Sequence, residues 1–483
     1  MSRYDLVVIG GGSAGLVVAG GAAQLGVRVA LIEKKALGGD CLFTGCVPSK
    51  TFIRSARFAA DVRRANEFGF APVSLEFNGN FEAITQRVNR VISTVGEHDK
   101  PERFEAWGAD VIFAAPRFVA PNELELTGQD GATRIITAKR FCISTGSRPA
   151  IPSIEGLKES GFITNEEVFH LKELPQSLIV LGAGPIGLEL GQAFARFGSR
   201  VTVVELDKRL LTKEDEQVSA MIEEVLRAEG VTFWLNTKAT RVRTENGQKV
   251  LAVEQDGKTT DLHTEEILVS TGRRPNVEGL NLEAAGVKYD AQRIFTDRYL
   301  RTSSKHIFAA GDVTGHFPFT HMAAYEAAVV IRNALLFWPL RQKTDFRVAP
   351  WATFTDPEIA RVGLTEDEAK KKFGSTGIQV YLSHFAENDR AHSEGDTRGF
   401  AKIICTGRKR EIVGAHIVGP HAGDLIHELV LAMKERLPIT ALGSMIHVYP
   451  TLTQINQQAG VAAILEGFAK HKKWLSRYLR IWR

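Results

Sequence analysis

Two cysteines five residues apart, Cys41 and Cys46, stand in the segment Gly38-Gly39-Asp40-Cys41-Leu42-Phe43-Thr44-Gly45-Cys46-Val47-Pro48-Ser49-Lys50, and they are half of the four cysteines in a 483-residue chain. The segment reads as the start of a helix. Pro48 suits a first turn, where its missing N–H leaves no bond unmade. A helix N-terminus and the nearby cation Lys50 both favour thiolate and lower a cysteine pKa. Residues five apart on a regular helix face different ways, so joining these sulfurs needs a distorted turn, which Gly45 allows. The pattern predicts a redox-active dithiol. A zinc site would need four ligands, and no second CxxC or Cys/His pair lies nearby, so no metal site is expected. Cys142, just before Ser144-Thr145-Gly146, and Cys405, at the end of the apolar run from Phe400, read as core thiols.

The elements around this segment follow a repeat. Leu6-Val7-Val8-Ile9 is an apolar strand running into Gly10-Gly11-Gly12-Ser13-Ala14-Gly15, then a helix, then a strand from Val27 ending in Glu33. Ser177–Leu181 runs likewise into Gly182-Ala183-Gly184-Pro185-Ile186-Gly187, a helix, and a strand ending in Glu205. In both copies the acid follows the first glycine by 23 residues. Gly10, Gly12 and Gly15, and again Gly182, Gly184 and Gly187, let backbone amides approach a pyrophosphate at a helix N-terminus. Glu33 and Glu205 then take ribose hydroxyls. Glu205 repels a 2′-phosphate, which favours NAD over NADP at the second site, although Lys208 and Arg209 follow closely and keep NADP open. A smaller echo closes each unit: Ser144-Thr145-Gly146-Ser147-Arg148-Pro149 and Ser270-Thr271-Gly272-Arg273-Arg274-Pro275. Thr145, Gly146 and Gly272 therefore belong beside bound dinucleotides. Ile307–Gly311 leads to Asp312, placed to accept from a polyol hydroxyl; alone, it would be an ordinary helix cap.

Together these residues resemble the flavoprotein pyridine nucleotide–disulfide oxidoreductases, a group that includes dihydrolipoamide dehydrogenase, glutathione reductase and mercuric reductase. The resemblance covers nearly the whole chain, with the motifs in the family's order. It implies an α/β fold with two Rossmann-like dinucleotide-binding domains, for FAD and NAD, and a C-terminal α+β dimerisation domain. It implies that Gly10, Gly12, Gly15, Glu33 and Asp312 hold FAD, and that Gly182, Gly184, Gly187 and Glu205 hold the nicotinamide dinucleotide. Cys46 would be the thiolate beside the flavin and Cys41 the thiol that meets the acceptor. Lys50 and Glu189 match the family's ion pair near the flavin. Electrons would pass from NADH through FAD to a Cys41–Cys46 disulfide, with the cofactor carrying the hard chemistry.

One departure stands out. The family's disulfide reductases carry His-Pro-Thr-x-x-Glu near the C-terminus, where the glutamate orients a histidine that protonates the leaving thiol. Here the run is Tyr449-Pro450-Thr451-Leu452-Thr453-Gln454. A tyrosine, with a pKa near ~10, is a poor acid–base partner at neutral pH. His447, two residues earlier, would point the same way as Tyr449 in an extended segment and take over the role; otherwise it packs. The expected acceptor is a small molecule needing little proton donation: a quinone, a soft metal or an unusual thiol compound. Gly191–Ser199 resembles the mercuric reductases, but no cysteine follows Cys405. Activities like those of dihydrolipoamide dehydrogenase or mercuric reductase, and a membrane-docked flavin redox sensor, stand as alternatives.

We expect residues 1–150 to bind FAD, 151–276 to bind NAD, 277–345 to return to the FAD region, and 346–483 to form the interface domain. Trp351–Thr355, Phe400–Cys405 and Glu411–Val418 read as its strands and Asp424–Lys434 as a helix. The resemblance implies a homodimer with the active site completed in trans. The first strand begins by about Tyr4, leaving no room for a signal peptide, and Arg332 interrupts the best apolar run. Few cysteines and a redox dithiol fit a reducing cytoplasm. Net charge is +4, yet residues 470–483 alone hold six Lys/Arg and no acid. At helical spacing Trp474, Tyr478 and Trp482 share a face with Leu475 and Leu479, while Lys470, Lys473, Arg477 and Arg480 gather elsewhere. That pattern suits contact with an anionic membrane surface, or a tail packed on its own domain. No second basic stripe appears, so nucleic acid is not an expected partner.

Overall fold

The computed structural model describes residues 2–73, 80–337, 339–470, 472, 476, 478 and 479. Its first sheet is built on Ser2–Ile9, whose Leu6-Val7-Val8-Ile9 end is buried on both faces. Such continuous apolar runs are what a parallel sheet covered on both sides requires. Val8 lies opposite Leu31 on one side and Cys142 on the other. Cys142 is therefore a core thiol, and burial pushes its pKa up. In space the parallel strands run Ala109–Ala120, Val29–Glu33, Ser2–Ile9, Thr133–Ile143 and Ile307–Ala309, with Glu123–Gly128 antiparallel between the outer ends of two of them. The chain thus leaves this sheet and returns to it at Ile307.

The second copy is a four-stranded parallel sheet in the order Thr232–Trp234, Arg200–Val204, Ser177–Leu181, Glu266–Val269. A three-stranded antiparallel sheet from Lys238 to Thr264 packs beside it. The two closing echoes pair with one another: Ser147–Pro149 and Arg273–Pro275 form an antiparallel ribbon with Arg148 opposite Arg274.

The C-terminal sheet is antiparallel throughout, in the order Pro350–Thr353, Glu358–Gly363, Glu411–Gly419, Phe400–Thr406, Ile378–His384, with the Ala422–Lys434 helix against it. Cys405 lies in its core, its pKa pushed up to about 12 by burial. The last long helix is Gln454–Lys470. Most of the expected amphipathic tail falls outside the described residues; of its aromatic face, only Tyr478 and Leu479 are described, both exposed. Among the described residues no helix is long and apolar enough to cross a membrane.

One apolar cluster decides where the dithiol helix lies. Phe52, fully buried, meets the rings of Phe81, Phe169, Phe194 and Phe197 at centroid distances of 4.9–6.1 Å. Phe194 and Phe197 belong to the Pro185–Phe197 helix that follows the second glycine loop. Burying a phenylalanine stabilises by roughly 1.5–3 kcal/mol, and each aromatic pair adds about 0.5–1.5 kcal/mol. The Cys46–Arg63 helix is therefore clamped to the nucleotide half from nearly two turns beyond the redox cysteine. In the stretch Gly191–Ser199, Arg196 grips Glu229 at 2.6 Å and Asp356 at 2.8 Å, tying the Pro185–Phe197 helix to a loop of the C-terminal sheet.

Candidate active site

The two glycine loops are built alike. Gly10 and Gly182 have φ of +105° and +100°, and a Cβ would come within 2.4 Å of the Ser144 carbonyl oxygen and 2.8 Å of that of Ser270. Only glycine fits both the conformation and the space. Glu33 accepts from the Gly11 amide at 2.7 Å, and from Lys34 and Lys35 at 2.6 and 2.9 Å. Glu205 accepts from Ala183 at 2.6 Å and Asp207 at 3.0 Å. Each acid expected at a ribose thus also braces its own glycine loop. Arg209, one of the two cations that kept NADP open beside Lys208, is committed elsewhere: it donates to the Thr212 and Glu214 carbonyls and, at 2.6 Å, to Ser219 Oγ.

A single cleft of about 2390 Å³ runs from Gly10 and Glu33 past Cys41 and Cys46 to Gly184 and Glu205. One small-molecule pocket takes roughly 300–1,000 Å³, so this space suits two large ligands end to end. Asp312 lines it, accepting from Ser147 Oγ at 2.6 Å with Arg273 Nε 3.7 Å away; burial raises its pKa. It opens a three-residue 3₁₀ turn, not a longer helix. Thr145 and Asn276 lock together, Thr145 Oγ1 donating to the Asn276 carbonyl at 2.6 Å and Asn276 Nδ2 returning a bond at 2.9 Å. A Cβ on Gly146 or Gly272 would meet nothing within 4 Å, so both face open cleft. The residues present fit FAD along the first glycine loop and a nicotinamide dinucleotide along the second.

The expected single helix start at the cysteines is instead two helices. Cys41 lies in a short helix, Gly39–Phe43, and Cys46 opens a new one, Cys46–Arg63. The chain breaks between them at Thr44–Gly45, where a Cβ on Gly45 would sit 2.9 Å from the Asp40 carbonyl oxygen. Gly45 is needed for space, not for an unusual φ. The break places Cys41 and Cys46, both free thiols, together on the wall of the cleft. Interaction with Cys41 is the main reason the Cys46 pKa falls to about 6; burial opposes it, and the Thr320 hydroxyl and Lys50 assist. The Cys41 pKa rises for the reciprocal reason, reinforced by burial. Of the two, Cys46 is the one whose surroundings favour the thiolate. Lys50 Nζ meets Glu189 at 2.8 Å and lies 4.4 Å from the centre of the Phe354 ring, while the Phe354 amide donates to Glu189 at 2.8 Å.

Several site residues escaped the sequence reading. Thr320 Oγ1 is 3.2 Å from Cys46 Sγ, from a helix 274 residues later. Asn165 donates to the Thr44 carbonyl at 3.0 Å, and Arg273 reaches Asp40 at 3.3 Å, so the nucleotide half pins the break between the cysteines. The echo containing Arg273 was a visible signal; Thr320, Asn165 and Phe354 had none.

The C-terminal frame separates residues that the two-residue spacing put together. Tyr449 is 66% exposed and donates to Asp389 Oδ2 at 2.9 Å. His447 turns the other way: its side chain is 3% exposed and meets Glu428 at 2.9 Å and the Met445 carbonyl at 3.2 Å. The expectation that His447 points with Tyr449 fails because Glu428, itself bonded to Asn456 at 2.8 Å, draws the ring inward. Gln454 starts the last helix, its side-chain oxygen 3.5 Å from the Thr451 amide. The Tyr449 pKa is raised by the bond to Asp389. Among the described residues no three metal-ligating side chains converge.

Comparison with known proteins agrees with this geometry. A family described as pyridine nucleotide-disulphide oxidoreductase matches residues 4–327, and its dimerisation domain matches residues 349–459. Mercuric reductase of Staphylococcus aureus is 34% identical over 452 residues, covering 93% of this chain and 81% of that one. Dihydrolipoyl dehydrogenase of Bacillus subtilis strain 168 is 33% identical over 482 residues, covering 97% and 99%. Among solved structures, the Cu(II) complex of the HOCl-induced flavoprotein disulfide reductase RclA from Escherichia coli has a TM-score of 0.84 at 29% identity, covering 96% of this chain and 100% of that one.

Proposed function

This chain belongs to the pyridine nucleotide–disulphide oxidoreductase family, and from that premise we propose that it delivers electrons from NADH to a thiophilic metal ion, Cu(II) being the acceptor that fits best. It is an FAD- and NAD(H)-dependent oxidoreductase, a homodimer whose active site is completed in trans. One observation carries the choice of acceptor: Cys41 and Cys46 present a thiol and a thiolate to the cleft, while Tyr449 and Gln454 hold the places of the proton-donating pair. Reducing a disulfide releases a thiolate that must be protonated. Reducing a metal ion does not. A Cys41 thiol and a Cys46 thiolate pass one electron to each of two Cu(II) ions, form the S–S bond, and release two Cu(I) ions and one proton. Thiolates are also the ligands that soft metals select. The copper complex of the RclA structure and the mercuric reductases among the relatives support this reading.

Bound FAD would supply the two-electron connection between NADH and the cysteine pair. The chain's own residues prepare that step. Glu189 and Phe354 hold the Lys50 cation where it favours the Cys46 thiolate. Glu205 disfavours a 2′-phosphate, and Arg209 is bonded away from it, which favours NADH over NADPH. Free thiols and few cysteines suit the cytoplasm. The basic aromatic tail supports peripheral placement at a membrane, on which the dithiol chemistry does not depend.

The test is anaerobic: reduce the protein with NADH, then follow reoxidation by Cu(II), Hg(II), a quinone, lipoamide and glutathione disulfide. Cu(II) should reoxidise it far faster than either disulfide, and Cys41→Ser should abolish metal turnover while sparing transfer to the quinone. The competing reading is dihydrolipoamide dehydrogenase-like turnover, favoured by end-to-end alignment with the B. subtilis enzyme. Fast reoxidation by lipoamide in the unmodified protein would establish it and sink ours.

A further inference from the structure

The bond between Tyr449 and Asp389 inverts the chemistry of the position it occupies. An imidazole held by a carboxylate through one nitrogen keeps the other free to exchange a proton. A phenol has one proton and two lone pairs, so a carboxylate that takes the proton leaves only lone pairs facing outward. Tyr449 Oη donates to Asp389 Oδ2 at 2.9 Å, and most of the ring is exposed on the dimerisation domain.

The arrangement is braced. Asn388, buried beside Asp389, accepts from the Arg390 and Ala391 amides at 3.0 and 3.1 Å and donates to the Thr451 carbonyl at 3.2 Å. That cross-link fixes the Asp389 backbone relative to Tyr449-Pro450-Thr451. Gln458 adds a bond to the Glu387 carbonyl at 3.0 Å, joining the last helix to the same loop. Of the other charged groups on these elements, Arg390 pairs with Glu394 at 2.5 Å, His447 meets Glu428, and His392 bonds the Ala386 carbonyl at 2.8 Å, while Glu387 stands on the same segment. Asp389 is the carboxylate that meets the phenol.

We propose that Asp389 is a specificity-determining positioning residue: by holding the only proton of Tyr449, it offers oxygen lone pairs to a cation at the partner's dithiol and denies a proton to a leaving thiolate. This rests on the reading that the acceptor is a metal ion. The raised Tyr449 pKa accords with it, since such a phenol neither ionises nor donates readily near neutral pH.

The experiment compares full-length Asp389→Ala, Asp389→Asn and Tyr449→Phe dimers carrying FAD. Tyrosinate absorbance is titrated against pH, with Tyr449→Phe isolating the one phenol, and turnover is measured with cupric chloride and with lipoamide. In Asp389→Ala, Tyr449 should ionise at lower pH, the KM for Cu(II) should rise about tenfold, as for loss of one hydrogen bond to a charged group, and lipoamide turnover should increase. Asp389→Asn keeps an oxygen for the phenol proton and should restore most of the Cu(II) KM. An unchanged Tyr449 titration in Asp389→Ala, or equal loss in the Ala and Asn variants, overturns the proposal. If the unmodified protein does not turn over Cu(II), the metal reading has failed. The titration and the lipoamide rate then judge Asp389 separately, and no gain in lipoamide turnover in Asp389→Ala counts against it.

Discussion

Around Gly10 and around Gly182 the chain makes nearly the same bonds. Each loop is closed by a serine whose hydroxyl bridges two carbonyls, Ser144 to Ile9 and Gly10, and Ser270 to Leu181 and Gly182. Their surroundings differ. The first loop is covered by the turn that leads to Cys41: the Gly38 amide donates to the Gly11 carbonyl at 2.8 Å, and a Cβ on Gly39 would lie 2.7 Å from Gly12 Cα. The second loop has a matching bond, from the Leu211 amide to the Ala183 carbonyl at 3.1 Å, but its middle glycine is uncovered: a Cβ on Gly184 would meet nothing within 4 Å. The same motif is thus enclosed where a cofactor stays and open where a dinucleotide must come and go. The cover is also the segment that carries the dithiol, so holding the cofactor and placing the cysteines are one task.

The sharpest way to break this parallel is at the third glycines. A Cβ on Gly15 would sit 1.8 Å from the Gly10 carbonyl oxygen, and one on Gly187 would sit 2.2 Å from that of Gly182. Overpacking of this kind costs about 1–3 kcal/mol or more locally. Gly15→Ala should therefore purify without flavin, whereas Gly187→Ala should keep its FAD and be reduced by NADH at least about tenfold more slowly, at the one-decade-per-1.4 kcal/mol exchange. Flavin absorbance and stopped-flow reduction read the two results; flavin loss in both would show the halves are not independent in this way.

A smaller effect is expected at the second acid. Glu205→Ala should raise the KM for NADH about tenfold and narrow the preference over NADPH, with flavin content unchanged. A wild-type preference for NADPH would contradict the assignment of Glu205 and Arg209.

The mildest test concerns Cys46. A cysteine in an unfolded chain has a pKa of about 8.5, and here it is lowered to about 6. Ultraviolet thiolate absorbance of the reduced protein, referenced to Cys46→Ser, should be present above this range and vanish as pH falls through about 6. The linked stabilisation is complete above the unfolded value and lost over the same fall. Lys50→Met should move the midpoint upward, though modestly, since the interaction with Cys41 contributes most.

What could be read in advance was whatever is encoded locally. The glycines, the acids 23 residues on, and the paired closing segments each follow from a backbone requirement expressed within a few dozen residues. Glu189 was reached through family likeness, since no spacing links it to Lys50 139 residues away. Thr320, Asn165 and Phe354 were missed for the same reason. His447 was misdirected because alternation along an extended segment knows nothing of Glu428 on another helix. The cysteine segment was half legible: its distortion was expected, but the full break into two helices depends on Asp40, Thr44 and Asn165 closing a small polar knot.

The ribbon of Ser147–Pro149 against Arg273–Pro275 has a consequence for how the molecule comes apart. It joins the closing segment of one repeat to the closing segment of the other, and the Phe52 cluster spans the two halves besides. Neither half can melt without exposing an edge and an aromatic face of its neighbour. The duplicated units, so alike that each would be expected to stand alone, are thereby made into a single cooperative unit of unfolding.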